Sequence, residues 1–358
     1  MRKFMRAALL TIAAIFALMA VGAAYGAWRY HQDMAISTPN GIDEAGYVRI
    51  GGIDQWIQIR GRDKRNPVLL WVNGGPGLSV IPNTPLYAGW EKYFTVVMWD
   101  QRGAGRTFEK YGTSLVPTLS IARMTQDGLE VAQYLRTRLN KDKIILLGHS
   151  WGSILGAHMA TERPDLFYAY VGTGQVAHLR TDVASAYSPL LARARQQGNQ
   201  RAVQELTAVG PPPYAQDDKY DVTNRWADAL DPQPRFPLSL VFDARLPAGL
   251  WASLTQSRFV FEGAASTGER LGGPMFDDDL LSLAPRFKIP VIVIEGPGDL
   301  VTPGARSFFD RAVAPHKEFL LLPGTGHLAI FRDPDGFLSL LLSRVRPFAT
   351  QPPDAARD

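Results

Sequence analysis

The sequence predicts an open, mostly parallel α/β sheet with helices on both faces and a helical insertion. Three observations predict it. Short, solidly apolar runs recur at Val68–Val72, Thr95–Trp99, Ile144–Leu147, Val291–Ile294 and Phe319–Leu322, the pattern of strands covered on both sides. Between them lie apolar residues at helical spacing, as in Met124, Val131, Leu135 and Leu139, and strand–helix alternation implies parallel pairing. From His178 to Leu283 the strand pattern stops. Helical segments such as Leu190–Val209 and Leu250–Phe261 take over, broken by Pro211-Pro212-Pro213 and by Pro232, Pro234 and Pro237. Such an insertion belongs above the strand ends, where these sheets bind ligands.

The chain opens on a different pattern. Ala7 to Trp28 is a run of 22 residues without a charge, preceded by Arg2, Lys3 and Arg6. About 20 apolar residues span a bilayer as a helix, and the basic flank stays cytoplasmic, sending the rest of the chain to the far side. The alternative is a cleaved signal peptide, for which Ala23, Ala24, Gly26 and Ala27 offer small-residue sites; the run is longer than a usual signal core, which favours an uncleaved anchor. A polar linker follows. Tyr47–Ile50 and Gln55–Ile59 then alternate around Gly51-Gly52 as a β-hairpin. The expected divisions are an anchor or signal at 1–28, a linker at 29–44, core at 45–177, helical cap at 178–283, core again at 284–348 and a tail at 349–358.

Composition narrows the chemistry. The 358 residues are 46% hydrophobic and 20% charged, enough apolar content for a packed core and too much for disorder. There is no cysteine, which excludes disulfides, thiolate nucleophiles and zinc–thiolate or iron–sulfur sites. The net charge is +4. Setting aside the three basic residues at the start takes 38 to 35, against 34 acidic, so nucleic-acid binding loses its support.

The most informative segment is Lys143 to Gly152. A buried strand runs into Gly148-His149-Ser150-Trp151-Gly152, and the apolar spacing of Ile154, Leu155 and Met159 begins a helix. Gly-x-Ser-x-Gly in that context is a nucleophile elbow, which holds the serine in a strained turn beside free helical N–H groups. A serine hydroxyl needs a base. Of the six histidines, His327 sits in Pro323-Gly324-Thr325-Gly326-His327 after an apolar strand, the position this fold requires. His149 adjoins the serine but diverges from it at a tight turn. The imidazole needs an acceptor, and Asp299 in Glu295-Gly296-Pro297-Gly298-Asp299 stands at another strand end, with Glu295 as its competitor. For the oxyanion, the backbone N–H of Trp151 is one donor. Gly75, in Asn73-Gly74-Gly75-Pro76-Gly77 after Val72, supplies the other. A phosphate-binding reading of that loop lacks the Gly-Lys-Ser/Thr ending.

Together with Asp100-Gln101-Arg102-Gly103-Ala104-Gly105-Arg106-Thr107, these segments resemble the proline iminopeptidase (prolyl aminopeptidase) branch of the α/β-hydrolases, over about Tyr47 to Arg346. The resemblance implies a Ser150–Asp299–His327 triad, a helical cap between the sixth and seventh core strands, release of an N-terminal residue (often proline) from peptides, and no metal or cofactor. It also implies that Asp100 and Arg102 brace the oxyanion loop. Asn73 stands where the family usually has histidine. The family holds the substrate's α-ammonium with acidic cap residues; here Glu262 is the candidate, with Glu205 and Glu269 as alternatives. Two other expectations stay open: an esterase or lactonase of small acyl compounds with the same triad, and a catalytically silent binding protein.

Overall fold

The computed structural model describes residues 2–214, 217–230, 246–283, 286–299 and 302–350. Its sheet has eight strands: β1 (Ile42–Ile50), β2 (Ile53–Gly61), β3 (Val68–Val72), β4 (Thr95–Asp100), β5 (Ile144–His149), β6 (Phe167–Thr173), β7 (Val291–Glu295) and β8 (Lys317–Leu321). They lie in the order β1-β2-β4-β3-β5-β6-β7-β8. The β1–β2 hairpin and its junction with β4 are antiparallel, and the pairings from β4 through β8 are parallel. The hairpin turns at Gly51 and Gly52, whose φ values of 56° and 78° favour glycine.

Among these residues the α-helices are α1 (Arg2–Met34), α2 (Gly105–Tyr111), α3 (Ile121–Leu139), α4 (Trp151–Glu162), α5 (Leu179–Gln196), α6 (Gln200–Val209), α7 (Asp217–Ala229), α8 (Leu246–Asp277), α9 (Leu280–Leu283), α10 (Thr302–Arg311), α11 (Ala329–Arg332), α12 (Pro334–Leu340) and α13 (Pro347–Thr350). Strand residues alternate between two cores. Leu70, Val72, Ile144, Leu146 and Val293 pack with Met124 and Leu135 of α3, Ile154 of α4 and Phe308 of α10. Leu69, Trp71, Ile145, Leu147 and Ile294 pack on the opposite face with Trp90, Ile330 and Phe337. This two-sided burial is why those strands read as unbroken apolar runs. Helices α5 to α9 lie between β6 and β7 and carry small cores of their own, Leu190, Leu206 and Trp226 in one and Tyr220 and Phe276 in another.

Three differences from the sequence reading have physical causes. Strand β6 was not among the expected runs because Tyr168, Tyr170 and Gly172 interrupt its apolar character; the buried Tyr170 hydroxyl is satisfied by the Ser153 carbonyl at 2.9 Å and Gln175 Oε1 at 2.7 Å. The expected helix Leu190–Val209 is two helices. The chain turns at Gly198 (φ 66°), and the Asn199 side chain caps α6 by accepting the Ala202 N–H at 3.0 Å. The 29–44 linker is shorter than expected, since α1 continues to Met34 and β1 starts at Ile42. The Met34 carbonyl accepts from buried Arg60, which also pairs with Glu91 at 2.7 Å. Among the described residues no helix is long and apolar enough to cross a membrane, and several side chains of 7–28 lie outside the described residues. Pro232, Pro234 and Pro237 also lie outside them.

Buried charge ties the hairpin to the sheet. Asp127 on α3 is fully buried and accepts from Arg102 Nε at 2.8 Å, Arg123 Nε at 2.9 Å and Gln55 Nε2 at 2.9 Å. Removing one member of such a cluster strands the others without water. Asp127→Ala should therefore cost about 3–5 kcal/mol in urea unfolding, and Asp127→Asn less. A loss below about 1 kcal/mol for the alanine variant would show the cluster to be dispensable.

Candidate active site

The order of strands reverses between β3, which leads to β4 on one side, and β5 on the other. The loops after β3 and β5 therefore diverge from a crevice at the carboxyl ends of the strands. Ser150 occupies that point, between β5 and α4, with φ 53° and ψ −121°. The tight crossing is made possible by its neighbours. A Cβ on Gly152 would lie 1.9 Å from the Val72 carbonyl oxygen, and one on Gly148 would lie 2.5 Å from that of Gly152. The Ser150 N–H donates to the Thr173 carbonyl at 3.0 Å, fixing the elbow to the end of β6.

Loops after β7 and β8 complete the constellation. His327 Nε2 lies 3.1 Å from Ser150 Oγ, and His327 Nδ1 lies 2.8 Å from Asp299 Oδ2. A carboxylate on Nδ1 leaves the other ring nitrogen free to accept the serine proton. Asp299 is 7% exposed, and its turn is closed by Asp299 N–H to Gly296 O at 2.9 Å and Gly298 N–H to Thr325 O at 2.9 Å. Glu295, the competing carboxylate, instead accepts the Gln175 N–H at 2.8 Å. The remaining described histidines are engaged elsewhere: His158 with Asp278 at 3.0 Å, His178 with Thr181 at 3.0 Å and His316 with Glu318 at 2.8 Å. His31 lies in α1 rather than in a linker.

The glycine-rich loop after β3 sits against the elbow. A Cβ on Gly74 would come within 3.0 Å of Ser150 Cβ, and Gly75 has φ 130° and precedes a cis proline. Trp151 heads α4 directly after the serine. Asn73 closes its own loop, donating from Nδ2 to the Leu78 carbonyl at 3.3 Å. Of the residues expected to brace this loop, Arg102 does not do so. It turns away to Asp127 and to the Gly51 carbonyl at 2.8 Å, because a buried guanidinium goes where acceptors converge. Asp100 accepts the Arg106 N–H at 2.8 Å. The direct brace is Gln101, between them in the same motif: its Nε2 donates to the Asn73 carbonyl at 2.9 Å and its Oε1 accepts the Trp151 indole N–H at 3.2 Å. The motif pointed to this segment; only side-chain direction distinguishes Gln101 from its neighbours.

The insertion also touches the loop. A Cβ on Gly77 would lie 2.6 Å from the Gly263 carbonyl oxygen, and Thr267 Oγ1 donates to the Gly103 carbonyl at 3.0 Å. Helix α8 thus rests on both the β3 and β4 loops through small residues. Glu262 is exposed on that helix, one residue from Gly263, and Glu269 is exposed further along. Glu205 is engaged between helices, accepting from Arg201 at 2.8 Å and from the Trp226 indole at 2.9 Å. From α5, Arg193 donates to the Gly298 carbonyl at 3.2 Å, beside Asp299. Among the described residues no cluster of three or more metal-ligating side chains occurs.

His149 lies beneath the relay, with Nε2 3.3 Å from the His327 carbonyl. A carbonyl accepts, so that nitrogen carries the proton. Burial, reinforced by the nearby His327, pushes the His149 pKa down to about 3. The unfolded chain takes up this proton near pH 6.5 and the folded chain only near 3, so this residue's contribution to stability is complete above about pH 6.5 and falls as pH drops toward 3. His149→Gln, which keeps a donor without the titration, should lose less melting temperature between about pH 7 and about pH 4.5 than the parent. Parallel losses in the two proteins would refute this account.

Residues 69–340 match the alpha/beta hydrolase family. A curated relative, a probable aminopeptidase of Bacillus subtilis (strain 168), is 28% identical over 308 residues, covering 84% of this chain and 95% of the relative. Among solved structures, a proline iminopeptidase-related protein from Thermus thermophilus superposes with a TM-score of 0.60 at 19% identity, covering 84% of this chain and 96% of that one. A membrane phospholipase A described as a bacterial virulence factor reaches 0.59 at 15% identity over 96% of this chain and 97% of that one, a likeness of fold that includes part of α1. With the family matched across most of its length, the chain belongs to the alpha/beta hydrolases, as a hydrolase similar to proline iminopeptidases.

Proposed function

We propose that this protein is a serine hydrolase that releases the N-terminal residue of peptides, proline in particular, through an acyl-enzyme. The observation that carries the reading is the continuous relay from Ser150 Oγ through His327 to Asp299, at 3.1 and 2.8 Å. In this scheme Ser150 attacks the scissile carbonyl carbon as His327 Nε2 takes its proton. Asp299 holds the Nδ1–H tautomer and stabilises the imidazolium. The tetrahedral oxyanion is met by the N–H groups of Trp151 and Gly75, each worth about 3 kcal/mol of barrier. His327 then returns its proton to the leaving amine, and water, activated by the same imidazole, releases the acyl group. No step requires a metal or cofactor. Glu262 is the proposed partner of the substrate's α-ammonium, since it lies on α8 where that helix meets the oxyanion loop.

A second reading keeps the relay and changes the substrate to small acyl esters or lactones. What favours it is the state of the candidate carboxylates: Glu205 is taken by arginines, and Glu262 and Glu269 are exposed rather than buried. Ester hydrolysis has no need of an ammonium anchor. Pro-naphthylamide should be cleaved by the parent, and Ser150→Ala should lower kcat by at least about 10³-fold with little change in melting temperature. Glu262→Gln should raise KM for the amide and leave nitrophenyl acetate unaffected. Turnover of the esters alone would replace the peptidase reading with the esterase one. A folded parent whose Ser150 resists a fluorophosphonate probe would leave a binding role.

Residues 7–28 are proposed to anchor the chain in a membrane, with the hydrolase on the extracytoplasmic side. Leu10, Phe16, Leu18 and Val21 are exposed on α1, and apolar side chains so displayed favour a lipid environment. The basic Arg2, Lys3 and Arg6 set the orientation. The full chain should sediment with membranes and a 1–28 deletion should not. Recovery of the full chain in the soluble fraction would reject the anchor, and a mass shortened to the Ala23–Ala27 region would identify cleavage instead.

A further inference from the structure

Glu295 ends β7 at 0% exposure and lies outside the relay, so its burial needs a reason. A carboxyl group in such a place is costly unless its partners repay the loss of water. Its partner is a backbone donor just past the end of β6. Oε1 accepts the Gln175 N–H at 2.8 Å, and the N–H of the preceding Gly174 faces the same carboxyl and favours its charge. Consecutive N–H groups around a residue with positive φ, here 52° at Gly174, form a concavity that holds an oxygen.

That turn touches both reacting side chains' supports. The Thr173 carbonyl, one residue earlier, accepts the Ser150 N–H at 3.0 Å. Gly174 lies flat against the imidazole: a Cβ there would be 2.9 Å from His327 Cε1 and 3.1 Å from Nδ1. The backbone of Glu295 reaches the same place from the other side, because its carbonyl accepts the Leu322 N–H at 2.8 Å just before the His327 loop. Gly296, next in sequence, packs so closely on Gly326 that a Cβ would lie 2.4 Å from its carbonyl oxygen. One buried side chain thus joins the strand that carries Asp299, the turn that carries the Ser150 backbone bond, and the surface on which His327 rests.

We infer that Glu295 is a positioning residue for the hydrolytic relay: its carboxyl group holds the Thr173–Gln175 turn against the Ser150 elbow and the His327 ring. The inference rests on the Ser150–His327 pair and not on a peptide substrate. The surroundings favour the neutral carboxyl over the anion. The titratable groups facing Glu295 are Asp299 and His327 from the loops and Tyr170 from β6. Burial first, and then the Asp299 carboxylate, hold the Glu295 pKa well above the ordinary carboxylate range. Oε2 has no hydrogen-bond partner among the described residues, which is less costly for a neutral carboxyl than for an anion. A second anion beside Asp299 would also raise the imidazole's pKa and keep it protonated, weakening it as a base.

The test compares Glu295→Gln, Glu295→Leu and Glu295→Asp in the full chain. Readouts are the rate of Ser150 labelling by a fluorophosphonate and the pH dependence of that rate, which need no knowledge of the natural substrate. Gln keeps the acceptor and the neutral charge, so it should label within about 3-fold of the parent with an unmoved acid limb. Leu removes the acceptor and should label about 10–100-fold more slowly, the range typical of a lost supporting contact, while still melting cooperatively. Asp, one methylene short, should fall between them. A cooperatively folded Leu variant labelled at the parental rate would overturn the positioning role. If Leu does not fold, an Asp variant equal to the parent would overturn it. A Gln variant as slow as Leu, or one whose acid limb moves to lower pH, would overturn the neutral form. Failure of the peptidase reading alone would leave every labelling result unchanged.

Discussion

The carboxyl end of the sheet depends on how closely the backbones approach at the elbow. Helix α4 leaves β5 so sharply that Gly152 lies against the Val72 carbonyl of β3, where any side chain would collide. That contact does two things at once. It forces Ser150 into a conformation with positive φ that places its hydroxyl beyond the sheet, and it aligns the first N–H groups of α4 beside the loop that follows β3. Strain of this kind persists only when the surroundings over-determine it. Here they do, through the Ser150 N–H bond to Thr173 and the solid apolar packing of β3 and β5 on both faces.

Around the elbow, buried polar groups take over from apolar packing. Gln101 ties the Asn73 carbonyl to the Trp151 indole, so the two proposed oxyanion donors share one brace. Arg102, its neighbour, faces the opposite way and serves the Asp127 cluster under the hairpin. Adjacent residues of one motif therefore hold different parts of the molecule. Helix α8 adds a contact of another type: Gly263 and Thr267 allow it to sit directly on the β3 and β4 loops. Displacing α8 would shift the surface that supports the oxyanion loop, which couples the insertion to the reaction centre by contact alone.

Much of this was legible in the residues. The strands β3, β4, β5 and β7 stood out because burial on both faces leaves no room for polar alternation. Ser150 and His327 stood out because a glycine-flanked residue at a strand's end has few structural explanations. Other features were illegible for physical reasons. Strand β6 carries tyrosines whose hydroxyls find partners only in three dimensions, as Tyr170 does with Ser153 and Gln175. Asp299 was preferred to Glu295, four residues earlier, but what Glu295 does instead was not legible: the first meets an imidazole and the second the backbone N–H of Gln175. Arg102 and Gln101 could not be ranked from order alone, since the direction of a side chain in a loop is set by where distant acceptors lie.

Local chemistry along the chain determined the class of architecture, the serine turn, the absence of thiol chemistry and the placing of Ser150, Asp299 and His327 at strand ends. Those properties follow from periodicity, glycine placement and composition, each of which is a property of neighbours in sequence. Tertiary structure alone decided that 3.1 and 2.8 Å separate the relay atoms, that Gln101 and not Arg102 supports the loop, and that Glu295 lies under the reaction centre. These outcomes join segments far apart along the chain, and what brings such segments to one point is the stacking order of the strands, which no stretch of sequence contains by itself.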